Sequence, residues 1–342
     1  MLEAGTRCLV TGGAGFIGSH VTARLVALGY RVRVVDDLST GNEANLADVA
    51  RQIEFVRGDL RESLVCERAV DGINVVFHLA ALPSVSRSMT DPWGSHDANV
   101  NATLRLLQCC QKAGVRRLVY SSSSSVYGDT VTLPKVENVE PLPRSPYATS
   151  KLAGEQYVLA FARAGFIEGI ALRYFNVFGP RQDPHSAYAA VIPAFLLAAA
   201  EGEEPIVFGD GQQSRDFTYV DNVVEANMLA ASRPAEDVNG WAVNVGAGVP
   251  TTLLGLLEMI QTITGRPLPH KSCPPRPGDV RASLACLERA GKVLGYRPVV
   301  GLQEGLRRTW HWLAASAGQA RAAKSVRSAQ PALAIPVAGG IP

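Results

Sequence analysis

Residues 8–20 read CLVTGGAGFIGSH. An apolar and β-branched run, Cys8 to Thr11, ends in a Gly-Gly pair, and an amphipathic stretch opens at Phe16. A strand that runs into spaced glycines and straight on into a helix is the context that separates a dinucleotide-binding turn from a chance glycine pattern. Gly12 permits the tight turn, Gly15 lets the backbone approach a pyrophosphate, and Gly18 lets the helix pack closely on the sheet. The helix N-terminus then offers unpaired N–H groups and a positive dipole end to phosphates, with Phe16 and Ile17 in the same turn. A glycine turn can also serve backbone geometry alone; the strand before it and the helix after it weigh against that.

The second strand ends in VVDDLSTGN, so Asp36 stands some twenty residues beyond the glycine turn, where a carboxylate accepts hydrogen bonds from an adenosine ribose. The same carboxylate repels a 2′-phosphate, which favours NAD over NADP. Asp36 or Asp37 capping the next segment is the plainer alternative. The third strand ends in GDL, placing Asp59 and Leu60 near the expected adenine edge.

Through residue 180 the chain alternates short apolar runs with longer amphipathic ones, the pattern of βαβ units around a parallel sheet. Strands are expected at RCLVTG, YRVRVVD, IEFVRGD, NVVFHLA, RRLVYS and GIALRYF, and helices at 16–28, 96–114 and 147–165 among others. Right-handed crossovers lay such helices on both faces of the sheet. The predicted class is therefore α/β, a doubly wound parallel sheet of the Rossmann type in residues 1–180. A smaller C-terminal α/β substrate domain is expected in 181–312, where prolines interrupt short elements, with some of its segments returning to the main sheet. Residues 313–342, rich in Ala, Ser, Pro and Gly, are expected to form a disordered tail.

The bulk numbers exclude several classes. Of 342 residues, 47% are apolar and 19% charged, ordinary for a globular protein, and 33 basic against 31 acidic side chains leave a net charge of +2. That balance gives no reason to expect nucleic acid or a membrane as partner, so any anion site must be local. Six cysteines without C-x-x-C spacing or clustered histidines read as reduced, mostly buried thiols, and no metal site is expected. The N-terminus lacks the pattern of a secretory leader, and a cytoplasmic protein is expected. His20, His78 and His185 are assigned no role.

SSSSSVYG at 121–128 resembles a flexible linker, yet it follows the apolar RLVY and returns at once to Val-Tyr-Gly. The serines are better read as the end of the fifth strand, delivered to the carboxyl edge where open α/β sheets bind ligands. Further on, SPYATSK puts Tyr147 and Lys151 four apart on one face of a helix. A phenol and an amine with ordinary pKa values near 10 are poor bases at pH 7. An ammonium beside the phenol, with the positive nicotinamide ring, is expected to draw Tyr147 down and make it a general base. Ser123 would hydrogen-bond the reacting oxygen. A Tyr and a Lys at this spacing alone mean little; joined to the glycine turn and the strand-end serines they form a site.

Taken in order, TGGAGFIG, HLAA, SSSSSVYG, YATSK and RYFNVFGPRQDP resemble the extended short-chain dehydrogenases/reductases, specifically the NAD-dependent epimerase/dehydratase family, over about residues 5–312. Within it the chain is most similar to UDP-hexose 4-epimerases, especially those acting on UDP-N-acetylglucosamine. The resemblance implies that Ser123, Tyr147 and Lys151 are the catalytic trio, with Lys151 also on the nicotinamide ribose, and that Leu79, Ala80, Ala81 and Asn99 line the cofactor site. It implies a homodimer through the helices near 96–114 and 147–165.

Dehydratases of the family carry an Asp-Glu pair after the Ser/Thr; here Ser124 and Ser125 stand there. Hydroxyls cannot do the acid–base work of eliminating water, so the 4-keto intermediate is expected to persist and be reduced on its other face. A UDP-sugar needs cations: Arg215, and Arg276 with Asp279, are the expected pyrophosphate and ribose contacts. By resemblance Asn176 contacts the sugar nucleotide, and Val191 and Phe208 border the uracil. Ser283 falls where narrow-pocket members have a tyrosine, leaving room for an N-acetyl group. Pro83 replaces a lysine common in hexose-specific members. UDP-N-acetylglucosamine/UDP-N-acetylgalactosamine epimerisation is favoured, with UDP-glucose/UDP-galactose as further substrates. A UDP-glucuronate 4-epimerase or other nucleotide-sugar enzyme of the fold is the runner-up, and a non-catalytic NAD-binding protein the third reading.

Overall fold

The structure is a computed structural model that describes residues 2–185, 190–275 and 280–328, with side chains described to residue 315. Its centre is a seven-stranded, all-parallel sheet. In chain order the strands are β1 (Arg7–Thr11), β2 (Arg31–Asp36), β3 (Ile53–Arg57), β4 (Val75–His78), β5 (Arg117–Ser123), β6 (Glu168–Tyr174) and β7 (Ala242–Val245). Across the sheet they run β7-β6-β5-β4-β1-β2-β3. The chain winds outward from β1 in one direction through β3, then returns to the other side of β1 at β4. The crevice beyond the β1 and β4 carboxyl ends is thus the switch point where such sheets hold ligands.

Both faces are covered, which explains the uninterrupted apolar strands. Cys8 and Val10 of β1 face one core with Val21 and Leu25 of helix α1 (Phe16–Ala27), and with Val223 and Ala226 of the later helix Val220–Ser232. Leu9 faces the other core with Cys66 and Ala69 of α2 (Ser63–Val70), Leu106 and Leu107 of α3 (Ala102–Ala113), and Val158 of α4 (Pro146–Arg163). All four cysteines in these layers, Cys8, Cys66, Cys109 and Cys110, are buried thiols.

Ser145 starts α4 by accepting from Ala148 N, and Pro146 follows it at the first helical position. That fixes the register of Tyr147 and Lys151. A third apolar core lies in the C-terminal half, where Phe195, Leu196, Val207, Phe217, Leu256 and Ile260 pack together. β7 comes from that half and joins the main sheet beside β6. The last helix, Leu302–Ser328, continues into the stretch read as a tail, and residues 329–342 lie outside the described residues.

Candidate active site

A cleft of about 2220 Å³ runs from the glycine turn, past the ends of β4 and β5, to Arg215 and Ser283 of the C-terminal half. Pockets for one small molecule measure roughly 300–1,000 Å³, so this one has room for two ligands. Gly12, Gly15, Phe16, Ile17, Gly18, Asp36, Asp59, Leu60, Leu79, Ala80, Ala81, Ser123, Tyr147, Lys151, Asn176, Arg215 and Ser283 all line it.

The glycine turn leaves no room for side chains. A Cβ on Gly12, whose φ is +66°, would stand 2.7 Å from Ala80 N, and one on Gly18 would stand 2.1 Å from Gly12 O. Asp36 is 7% exposed at the end of β2, and its two oxygens accept from Ala14 N and Leu38 N, each at 2.9 Å. Burial pushes this carboxyl up, with those backbone donors opposing. It therefore ties the turn to β2, and each oxygen keeps acceptor capacity for a ribose hydroxyl. Residues 36–45 on this wall include Asp36, Asp37 and Glu43 and no cation, which suits NAD and would disfavour a 2′-phosphate. Asp59 is held by Arg61 through three contacts of 2.6–3.1 Å, and that guanidinium keeps its carboxyl below the usual range.

Asn99 is 1% exposed and stands behind the wall. Its Oδ1 accepts from Leu82 N at 2.8 Å and its Nδ2 donates to Ser150 Oγ at 2.9 Å. The widened turn Asp97–Asn101 gives it that reach. Next to it His78 is locked between two threonines. Thr103 gives its proton to Asn99 O and so accepts from His78 Nε2, while Thr11 donates to Nδ1 and accepts from Leu79 N and Ala80 N. Burial, with Lys151 adding to it, pushes this imidazole down to about 3. His78 is thus a neutral strut that aims the 79–80 backbone.

Three neighbouring serines serve three purposes. Ser121 hydrogen-bonds Tyr174, and Ser122 donates to Glu155 at 2.6 Å. Ser123 reaches the Tyr147 phenol, and its Oγ accepts from Ser125 N at 3.2 Å and Ser125 Oγ at 2.9 Å. The last set is a short hydroxyl chain, Ser125 to Ser123 to Tyr147, ending in the cleft.

The electrostatics depart from the expected lowering of Tyr147. Burial pushes the phenol up, and the Ser123 hydroxyl works against it. Lys151, 3% exposed, is itself pushed down to about 7 by burial, with Glu155 opposing. Its Nζ lies 4.7 Å over the Tyr120 ring. A lysine that is half neutral at pH 7 is a weak source of positive charge, so desolvation dominates both groups. The protein alone keeps the phenol protonated; a cationic ligand ring is the remaining agent that would draw it down.

Behind the trio lies a buried ion pair. Arg173 grips Glu155 with two bonds, 2.6 and 3.0 Å, and reaches Tyr127 Oη at 2.8 Å. Tyr127 donates to Asn244 Oδ1 at 2.7 Å on β7. The network links α4, β6 and β7, so the C-terminal half holds the helix bearing Tyr147 and Lys151.

In the substrate half, Asp216 acts as a knot. Fully buried, it accepts from Ala247 N (2.7 Å), Gly248 N (3.0 Å) and Ala285 N (3.1 Å). The adjacent Arg215 and the segment with Ser283 are fixed by it, and Ser283 N also donates to Ser214 O at 3.1 Å. Lys135 clamps that segment from the other side, its N donating to Leu284 O and its O accepting from Cys286 N. Val191 begins the helix Val191–Glu201 and Phe208 ends the strand Ile206–Phe208, and neither is on the cleft wall. Arg276 and Asp279 lie outside the described residues. Sequence reasoning did not single out Asp216, Glu155, Lys135 or the cleft-lining Arg181, and it used Ser125 only as the place of a missing carboxyl group. A local signal existed for two of them: Arg181 lies inside the quoted RYFNVFGPRQDP, and Glu155 stands one helical turn after Lys151.

The chain matches, over residues 8–246, the family described as the NAD dependent epimerase/dehydratase family. It is 41% identical over 307 residues to a UDP-glucose 4-epimerase of Mycolicibacterium smegmatis, covering 89% of this chain and 97% of that protein. Among solved structures, a UDP-N-acetylglucosamine 4-epimerase from Methanobrevibacter ruminantium M1 in complex with UDP-N-acetylmuramic acid is 38% identical. It superposes with a TM-score of 0.87 and covers 92% of this chain and 100% of its own. MoeE5 in complex with UDP-glucuronic acid and NAD is 39% identical, with a TM-score of 0.82 and coverage of 91% and 99%.

Proposed function

Because the chain belongs to the NAD-dependent epimerase/dehydratase family, we propose that it interconverts C4 epimers of a UDP-sugar, with UDP-N-acetylglucosamine and UDP-N-acetylgalactosamine favoured and UDP-glucose and UDP-galactose also accepted. The observation that carries this reading is the hydroxyl chain ending at Tyr147, with Ser124 and Ser125 on the cleft wall where eliminating members need carboxyl groups.

In this reading the glycine turn and Asp36 hold NAD, which supplies a hydride acceptor that can return what it takes. The chain's own residues handle protons and orientation. Tyr147 removes the proton of the C4 hydroxyl as the carbonyl forms and gives it back to the other epimer. Ser123 orients that oxygen and, through Ser125, keeps its own proton directed at the phenol. Lys151 supplies positive charge when protonated. Hydroxyls at 124 and 125 leave the keto sugar without a group to expel water, so the route back is reduction. Ser283 leaves the far wall open to an N-acetyl group by excluded volume. Arg215 favours the pyrophosphate. A homodimer belongs to the same reading, supported by Trp93, 81% exposed, and Tyr157, 39% exposed, on helices near the expected interface.

The test is to incubate purified protein and NAD⁺ with a panel of UDP-sugars and follow the C4 configuration by NMR. Conversion of the N-acetylhexoses is expected. A 4-keto-6-deoxy product would reject the proposal, and turnover of UDP-glucuronate alone would transfer it to the acidic sugar. Ser283→Tyr should depress conversion of the N-acetyl substrates by roughly 10- to 200-fold relative to UDP-glucose, the range for steric discrimination in a pocket.

A further inference from the structure

Past the end of β4 the short helix Val85–Thr90 stands on the cleft wall, and it carries a guanidinium with nothing to hold. Arg87 is half-buried and lines the cleft. Its backbone N donates to Ser84 Oγ at 3.0 Å, which caps the helix, and Ser88 beside it is fully buried. The Arg87 side chain makes no ion pair or hydrogen bond among the described residues, and none of its nitrogens is closed off from solvent.

Every other arginine or lysine lining the cleft has a protein partner. Arg61 holds Asp59 and Asp97, Arg144 holds Asp129, and Arg181 reaches Asp48. Lys135 is bound by Thr130, Lys151 lies over the Tyr120 ring, and Arg215 Nη1 donates to Ser214 O at 2.8 Å. An accessible guanidinium on a ligand cleft, with five donors and no acceptor, is a site for an anion with several oxygens.

Its place narrows the choice of anion. Leu82 is tied through Asn99 to Ser150, next to Lys151, and the helix bearing Arg87 then packs on α4. Arg87 therefore stands beyond the glycine turn, along the helix that carries Tyr147 and Lys151. A dinucleotide's own diphosphate is served by the open N–H groups and positive dipole end of α1. The diphosphate of a sugar nucleotide has Arg215 from the C-terminal half, and a single guanidinium leaves one of its phosphates without a cation.

We propose that Arg87 is a substrate-binding residue that takes the diphosphate of the UDP-sugar from the main-sheet half, while Arg215 takes it from the C-terminal half. The assignment rests on the UDP-sugar reading given above. A diphosphate shared in this way fixes the nucleotide end of the substrate across both halves, so the sugar ring is free to turn in the cleft while its anchor stays in place.

The experiment is calorimetric titration of wild type, R87Q, R87K and R144Q with UDP and uridine on NAD⁺-loaded protein, and with NAD⁺ on stripped protein. R87Q should bind UDP about 10- to 100-fold more weakly, the size of a charge-assisted hydrogen bond to phosphate, while uridine and NAD⁺ change less than about twofold. R87K, which keeps the charge but not the fork, should fall between. R144Q should stay within about threefold of wild type, since an exposed pair contributes little. The urea midpoint of R87Q should match wild type, because the side chain holds no protein group. Unchanged UDP affinity in R87Q overturns the assignment. So does an equal loss for uridine or a fall in the urea midpoint, which marks a structural role, and so does an equal loss in R144Q, which marks a diffuse field. A loss for NAD⁺ in place of UDP also overturns it and moves Arg87 to the cofactor. Failure of the wild type to bind UDP at all would instead reject the underlying reading.

Discussion

At the scale of single residues, steric exclusion and proton position decide the chemistry. Gly18 is the sharper case of exclusion, because an added Cβ would overlap Gly12 O at 2.1 Å, and a backbone oxygen in a tight turn cannot move aside cheaply. Gly18→Ala should therefore displace the turn and weaken NAD⁺ binding by roughly 10- to 100-fold, the cost of 1–3 kcal/mol of overpacking, as read by NAD⁺ titration. For the proton, Tyr147→Phe should cut turnover by roughly 10²- to 10⁴-fold while UDP-sugar and NAD⁺ affinities hold, measured by NMR assay and calorimetry. Undiminished turnover in a folded Phe variant would remove Tyr147 from the mechanism. These residues were legible in the chain because their motifs are contiguous. The pKa of Tyr147 was not, since its upward push comes from packing by segments far apart in sequence.

At the scale of elements, α4 and β5 to β7 form one unit through the Glu155–Arg173 pair, whose side chains are 0% and 4% exposed. A buried pair adds little net stability over apolar packing, but breaking one side leaves an unpaired buried charge. Glu155→Gln should destabilise the protein by about 3–5 kcal/mol in urea unfolding, and Glu155→Leu with Arg173→Met should recover much of that loss. If the single variant matches wild type, the pair does not hold α4 in place. The six strands and three helices expected from the first 180 residues all appear within a few residues of their expected limits, because continuous apolar strands and capped amphipathic helices are local patterns. β7 was beyond such reading: Ala242–Val245 is four residues long, and only pairing with β6 marks it as part of the main sheet.

At the scale of the whole molecule, burial of Lys151 couples stability to pH. Its folded value, about 7, lies below the ordinary 10.5, so between those limits the unfolded chain holds a proton that the native state gives up. Stability from this group then rises with pH through about 7 to 10.5, and its penalty is complete below pH 7. Cofactor-free Lys151→Met should exceed wild type in stability most at pH 6, with the gap closing toward pH 10, by urea unfolding across that range. A gap independent of pH would mean that the amine is not desolvated.

The chain by itself determined the doubly wound sheet, the glycine turn and the Ser, Tyr and Lys brought to one edge, because each follows from short-range periodicity, turn chemistry and spacing along a single helix or strand. Only the tertiary structure decided that Asn99 braces the wall from behind and that Asp216 and Lys135 fix the Ser283 segment. Those outcomes depend on which distant groups meet once solvent is excluded, and a buried polar atom is satisfied or left open by neighbours that no local stretch of sequence specifies.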